Sequence, residues 1–111
     1  MSLRTSAYRI MWIFVLFDLP TETKTQRKEY SEFRKFLLNE GFSMMQFSVY
    51  MRHCISREFM ESKLKRLETK LPRYGNVTIM EVTDKQFSMI KHFYCSAYEK
   101  PPPTPQQIGM F

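Results

Sequence analysis

An apolar run occupies residues 10–17 and ends on a bare carboxylate, Asp18, set immediately before Leu19 and Pro20. The run is short for a buried helix, and its aromatic and β-branched content predicts a central strand that Pro20 terminates. Beyond it the period changes. Tyr30, Phe33 and Leu37 recur at helical spacing, Thr23 with Gln26 forms a capping box, and Gly41 supplies a stop, so a helix is predicted over about 23–40. From Phe42 the pattern switches to period two. Met45, Phe47, Val49 and Met51 share one parity and Met44, Gln46, Ser48, Tyr50 and Arg52 the other, as one long strand or a tight hairpin. Ser56 can cap a second helix with the apolar stripe Met60, Leu64, Leu67 and Leu71, closed by Pro72 and Tyr74-Gly75-Asn76. Residues 77–82 read as a further strand. After them, Phe87, Ile90 and Phe93 suit a strand or a short helix reaching toward a partner subunit.

Strand, helix, strand (one or two), helix, strand is the split βαβ order of an α+β, ferredoxin-like βαββαβ sandwich, with both helices on one face of an antiparallel sheet. At 111 residues the chain fits a single domain, placed over 8–98, with a Pro-rich extension over 99–111 that contains PPPTP and is expected to be extended.

The helices leave one sheet face bare. Met11, Ile13, Val15 and Phe17 alternate toward the helices, so Trp12, Phe14 and Leu16 point to the open face, where such an apolar patch calls for a cover. A second copy of the chain is the economical one, since two-fold dimers are the commonest assembly. Asp18 shares the parity of the open-face residues, and two-fold symmetry would bring it near its mate. Two carboxylates about 4 Å apart repel by about 4 kcal/mol at an effective dielectric of about 20. They must share a proton, stay apart or hold a cation. Mg²⁺ suits such a pair, because it accepts one or two carboxylates and keeps its waters.

Charge narrows the partners. Lys and Arg number 17 against 11 Asp and Glu, and the net charge of +6 favours a polyanion over an acidic protein substrate. No apolar run approaches the roughly 20 residues of a membrane span, and residues 10–17 lack the cleavage site of a signal peptide, so a cytoplasmic address is expected. Two cysteines make no disulfide framework and read as small buried hydrophobes. His53, Cys54, His92 and Cys95 invite a zinc site, but adjacent strand residues His53 and Cys54 face opposite ways and cannot share an ion.

FVLFDLP at 14–20, a helix containing Arg27 and FRKFL at 33–37, Gly41-Phe42, and QFSVYMR at 46–52 together resemble the CRISPR-associated Cas2 family, in the variety whose first strand ends in Phe-Asp-Leu-Pro. The likeness spans about residues 10–82. It implies a ferredoxin-like homodimer that joins the CRISPR integrase in spacer acquisition, bridging integrase dimers while duplex DNA lies across it. It also implies a Mg²⁺- or Mn²⁺-dependent endonuclease, with the ion at the dimer interface and single-stranded RNA or duplex DNA as substrate. The position of the family's metal-linked aspartate is matched by Asp18, and Ser48 matches the serine of its Gln-x-Ser-Val-aromatic motif, both then catalytic. The resemblance further implies that Gln46-Phe47-Ser48 joins two short strands, although no Gly, Pro or Asn marks a turn there.

Residues alone read Asp18 as the start of a turn or a cap; the resemblance tips it toward metal binding. For nucleic acid, the second helix offers Lys63, Arg66, Lys70 and Arg73 at i, i+3, i+7 and i+10, a basic stripe able to follow a phosphate backbone or simply to face solvent. Arg27 and Arg34, seven apart on the first helix, and Arg52 on the following strand complete the candidates; the other charges of that helix read as surface pairs. Tyr50, Tyr74, Phe93 and Tyr94 could stack on bases, but no RNA-recognition-strand motif accompanies them, and core or interface positions are expected. Two other classes stay open. A toxin-like ribonuclease of the VapD kind would act alone with the same aspartate, and a ferredoxin-like ligand-sensing domain would need a Gly-rich loop that three glycines hardly supply.

Overall fold

A computed structural model describes residues 11–95. The extension over 99–111, and the outermost residues of the 8–98 domain, lie outside the described residues. Strand β1 is Met11–Asp18, helix α1 Lys24–Asn39, β2 Ser43–Gln46, β3 Val49–Cys54, α2 Arg57–Glu68, β4 Asn76–Thr83 and α3 Asp84–Ser88. The four strands lie in the order β2-β3-β1-β4, and every neighbouring pair is antiparallel. This is the ferredoxin-like α+β arrangement that the element order predicts.

Both helices start and stop as the local chemistry dictates. The Thr23 hydroxyl accepts from the Gln26 amide at 3.1 Å while Gln26 Oε1 accepts from the Thr23 amide at 3.0 Å, a complete capping box. At the other end Gly41 sits at φ +87°, its amide donates to Leu38 O, and the Phe42 amide reaches back to Leu37 O. Two orphan carbonyls are thereby satisfied and Phe42 is turned into the core. Ser56 caps α2 through the Phe59 amide at 3.0 Å.

The alternation of β1 has its expected consequence on the helix side. Met11, Ile13, Val15 and Phe17 join Phe33 and Leu37 of α1, Met60 and Leu67 of α2, and Tyr50 and Cys54 of β3 in one buried cluster. Burying each of these large side chains contributes about 1.5–3 kcal/mol, which is what holds both helices on this face.

Two expectations change, and one open alternative is decided. The first concerns α2, which stops at Glu68 with Thr69 as its cap, so Leu71 lies past the helix and is largely exposed rather than part of its stripe. Pro72 disfavours helical backbone at Leu71, and the Thr69 hydroxyl, bonded to Arg66 O at 2.6 Å, draws the last turn closed. The open alternative is decided for the alternating stretch from Phe42, which is two strands, the hairpin of the two readings. Gln46 pairs with Val49, Phe47 is 75% exposed at the tip, and Ser48 takes φ +66°, the only positive value among the described non-glycine residues. The junction implied by the family resemblance is therefore present without a glycine.

The second change is on the open sheet face, which the chain partly covers itself. Phe87 of α3 lies parallel over Trp12 with centroids 3.7 Å apart, and its ring centre is 6.2 Å from that of Phe14. A second capping box, Thr83 with Gln86, turns the chain from β4 into α3 and makes this possible.

Candidate nucleic-acid and metal site

Asp18 ends β1, one of the two strands with neighbours on both sides, and is exposed where the rest of that strand is buried or half-buried. Its register partner on β4 is Asn76, and the Phe17 amide beside it donates to Ser48 O at 3.0 Å. The hairpin tip that carries Ser48 is thus fastened to the end of β1, next to Asp18. Among the described residues no hydrogen bond or ion pair engages the Asp18 carboxylate. A charge left without a partner at the end of a central strand is available to a ligand.

Gly75 adjoins the same place. It precedes β4 at φ +100°, and a Cβ there would stand 2.6 Å from the Asp18 carbonyl oxygen and 3.0 Å from Leu19 Cα. Sequence reasoning treats Gly75 only as part of a stop signal. The available clue was composition: with three glycines in the chain, each is worth testing for a position that forbids a side chain.

The cations expected to contact phosphate separate into inward and outward groups. Arg52 is half-buried, donates through Nε to Glu40 O and through Nη1 to His53 O, both at 3.1 Å, and lies 4.9 Å from the centre of the Phe59 ring. Lys63 donates to Glu40 Oε1 at 3.0 Å, and Arg66 holds both carboxylate oxygens of Glu40 at 2.8 and 2.7 Å. Arg66 and Lys63 hold the Glu40 carboxyl at about 2, far below its ordinary value, against the opposing effect of burial. Glu40 is a second residue that sequence reasoning passes over, because its partners come from a helix 23 and 26 positions away.

Arg73 binds Glu29 through Nε at 2.7 Å and its own amide at 3.3 Å; this lowers the Glu29 pKa. The two residues line a cleft of about 500 Å³ between α1 and the 70–73 segment, together with Lys35, Phe36, Lys70 and Pro72. Arg27 closes the approach to α1 by donating to Thr21 O and Glu22 O at 3.1 Å. Arg34 interacts with Tyr50, whose burial raises its pKa while the Arg34 charge works the other way. Since α2 ends at Glu68, Lys70 and Arg73 do not continue a helical stripe with Lys63 and Arg66. Arg27, Arg34, Arg66, Lys70 and Arg73 remain exposed, so an internal partner does not bar them from a phosphate as well.

Of the aromatic candidates, Tyr50 is core, while Tyr74, Phe93 and Tyr94 are exposed. The zinc reading has no support in the geometry. His53 is edge-on to Trp12 on the open face and Cys54 is in the core, and no group of three His, Cys, Asp or Glu side chains converges among the described residues. No helix among them is long and apolar enough to cross a membrane.

The family model described as CRISPR associated protein Cas2 matches residues 11–90. A protein of Flavobacterium psychrophilum named CRISPR-associated endoribonuclease Cas2 is 49% identical over 108 residues, covering 97% of this chain and 94% of that protein. Proteins of the same name from Parvibaculum lavamentivorans and Paracidovorax avenae are 44% and 40% identical, covering 91% and 96% of this chain and 100% and 98% of their own lengths.

Proposed function

The chain belongs to the CRISPR associated protein Cas2 family, and from that premise we propose that it is a homodimeric, metal-dependent nuclease that cleaves RNA and serves as a subunit of the spacer-acquisition complex. The observation that carries the reading is Asp18, an exposed carboxylate without a partner among the described residues, at the end of one of the two interior strands of the sheet.

One protomer supplies a single carboxylate there. Mg²⁺ or Mn²⁺ asks for one or two carboxylates together with water, so Asp18 and its mate across a two-fold axis match the donor set of a hard cation. When bound, the ion supplies positive charge against the phosphodiester and activates water. The chain's own contribution is to place Asp18. The Ser48 carbonyl fastens the end of β1 through the Phe17 amide, so Ser48 would act through the main chain, by positioning Asp18.

Duplex DNA is held through phosphates by Arg27, Arg34, Arg66, Lys70 and Arg73, the exposed candidates, in line with the net charge of +6. Arg52 and Lys63, half-buried and bonded to Glu40, are the less accessible of the candidate phosphate contacts. In the acquisition complex the dimer bridges integrase dimers. The family resemblance supports that role, and the surface cations are compatible with it.

The test follows cleavage of labelled RNA and duplex DNA over a range of Mg²⁺ and Mn²⁺ concentrations, for wild type and Asp18→Ala, with duplex binding measured in parallel. Metal-dependent cutting that the substitution abolishes is the expected result. No cutting by either protein with binding intact would leave the bridging role alone, and cutting with no integrase association would favour a stand-alone ribonuclease.

A further inference from the structure

Asp18 is flanked on both sides by backbone in the left-handed region. On the β3 side stands Ser48 at φ +66°, whose carbonyl accepts from the Phe17 amide at 3.0 Å. On the β4 side stands Gly75 at φ +100°, whose missing side chain is the space that the Asp18 carbonyl and the Leu19 main chain occupy. A non-glycine residue at such a φ is uncommon, and glycine is the default where another backbone approaches closely.

We propose that Gly75 is a positioning residue for Asp18: its bare Cα lets the main chain of residues 18 and 19 close against the start of β4, and with the Ser48 carbonyl it clamps the end of β1 so that the carboxylate is held in one direction. The proposal rests on the nuclease reading of Asp18, and it extends that reading to a residue without reacting atoms of its own. A side chain at position 75 pushes against a carbonyl oxygen and a Cα, which unlike the end of a flexible side chain have no free rotation by which to yield. The end of β1 must move, and the Asp18 carboxylate moves with it. Gly41 supplies the matched contrast. It too has a positive φ, +87°, but the three atoms nearest to a Cβ there all belong to the Arg52 side chain, on a different strand from Asp18.

The experiment compares Gly75→Ala, Gly41→Ala and Asp18→Ala in the full chain. Metal-dependent RNA cleavage is read as kcat and KM, and exchange of the Phe17 amide by NMR. Displacement of a catalytic group by about 1 Å costs up to about 100-fold in rate, so Gly75→Ala is expected to lose at least about tenfold in kcat with KM unchanged and to speed exchange at Phe17. Gly41→Ala should keep wild-type kcat and Phe17 protection. Equal losses in the two glycine variants, or wild-type kcat in Gly75→Ala, would overturn the proposal. If Asp18→Ala cleaves like wild type, or neither cleaves, the nuclease reading falls. The clamp is then decided by exchange alone: faster exchange at Phe17 only in Gly75→Ala upholds it, and unchanged exchange overturns it. Should Gly75→Ala fail to fold, the double variant with Leu19→Ala removes the Leu19 Cδ2 obstacle at 2.8 Å, leaves the Asp18 carbonyl in place, and is read in the same way.

Discussion

Arg66 grips Glu40 with two parallel hydrogen bonds, Nε to Oε1 at 2.8 Å and Nη2 to Oε2 at 2.7 Å, and so ties α2 to the C-terminal cap of α1. Lys63 shares one of those oxygens, and Arg52 of β3 takes the Glu40 main-chain carbonyl. Glu40 is therefore where two helices and a strand meet, and the fork of Arg66 supplies the directional part of the contact.

The first prediction concerns acid. The folded-state pKa of Glu40, about 2, lies below its ordinary value of 4.5. The stability it contributes is therefore fully present above about pH 4.5 and is lost as pH falls toward 2. Glu40→Gln should remove on the order of 1–2 kcal/mol at pH 7, a figure discounted because Arg66 is largely exposed, and should flatten that part of the acid limb. Urea unfolding at pH 7, 4 and 2.5 checks it; parallel profiles for the two proteins would refute it.

The second separates fold from nucleic acid among the cations. Lys70 is exposed and lies beyond α2, so Lys70→Gln should leave the melting temperature unchanged and lower the salt slope of duplex binding by about 0.9. Arg66→Gln should lower both the slope and the stability, because Glu40 loses its best partner. Binding isotherms at several salt concentrations, with thermal melts alongside, distinguish the two.

A third concerns the open face. Trp12 is the chain's single tryptophan and stacks on Phe87, so Phe87→Ala should change its fluorescence. The loss in stability should exceed that from buried area by about 0.5–1.5 kcal/mol, the value of a well-placed aromatic pair. Unaltered emission would mean that α3 does not rest on Trp12 in solution.

A fourth asks whether Asp18 serves the fold. Exposed and unpartnered among the described residues, it should tolerate Asp18→Ala within about 0.5 kcal/mol by chemical denaturation. A larger loss would mark Asp18 as a structural cap and weaken its assignment to metal.

Much of the local structure was legible in the sequence. The first capping box, the Ser56 cap and the Gly41 stop act over three or four residues, so Thr23 with Gln26, or Ser56 before its apolar stripe, carries its own instruction. The alternation along β1 likewise assigned Met11, Ile13, Val15 and Phe17 to the core, because pleating leaves a side chain no other choice of face. Asp18 stood out for the same reason, as the first charge after an apolar run. What only tertiary structure decided depends on groups far apart in the chain. The basic residues of α2 read as one stripe until the fold brought Glu40 against Lys63 and Arg66 and ended the helix at Glu68. The open face read as bare until a turn after β4 laid Phe87 on Trp12, 75 residues earlier. Gly75 read as punctuation until the Asp18 carbonyl was found in the space of its absent Cβ. Periodicity reports which way a side chain points; only the packed chain determines what stands opposite, because that contact is made by the sheet register and the helix crossing, and neither is encoded within a few residues.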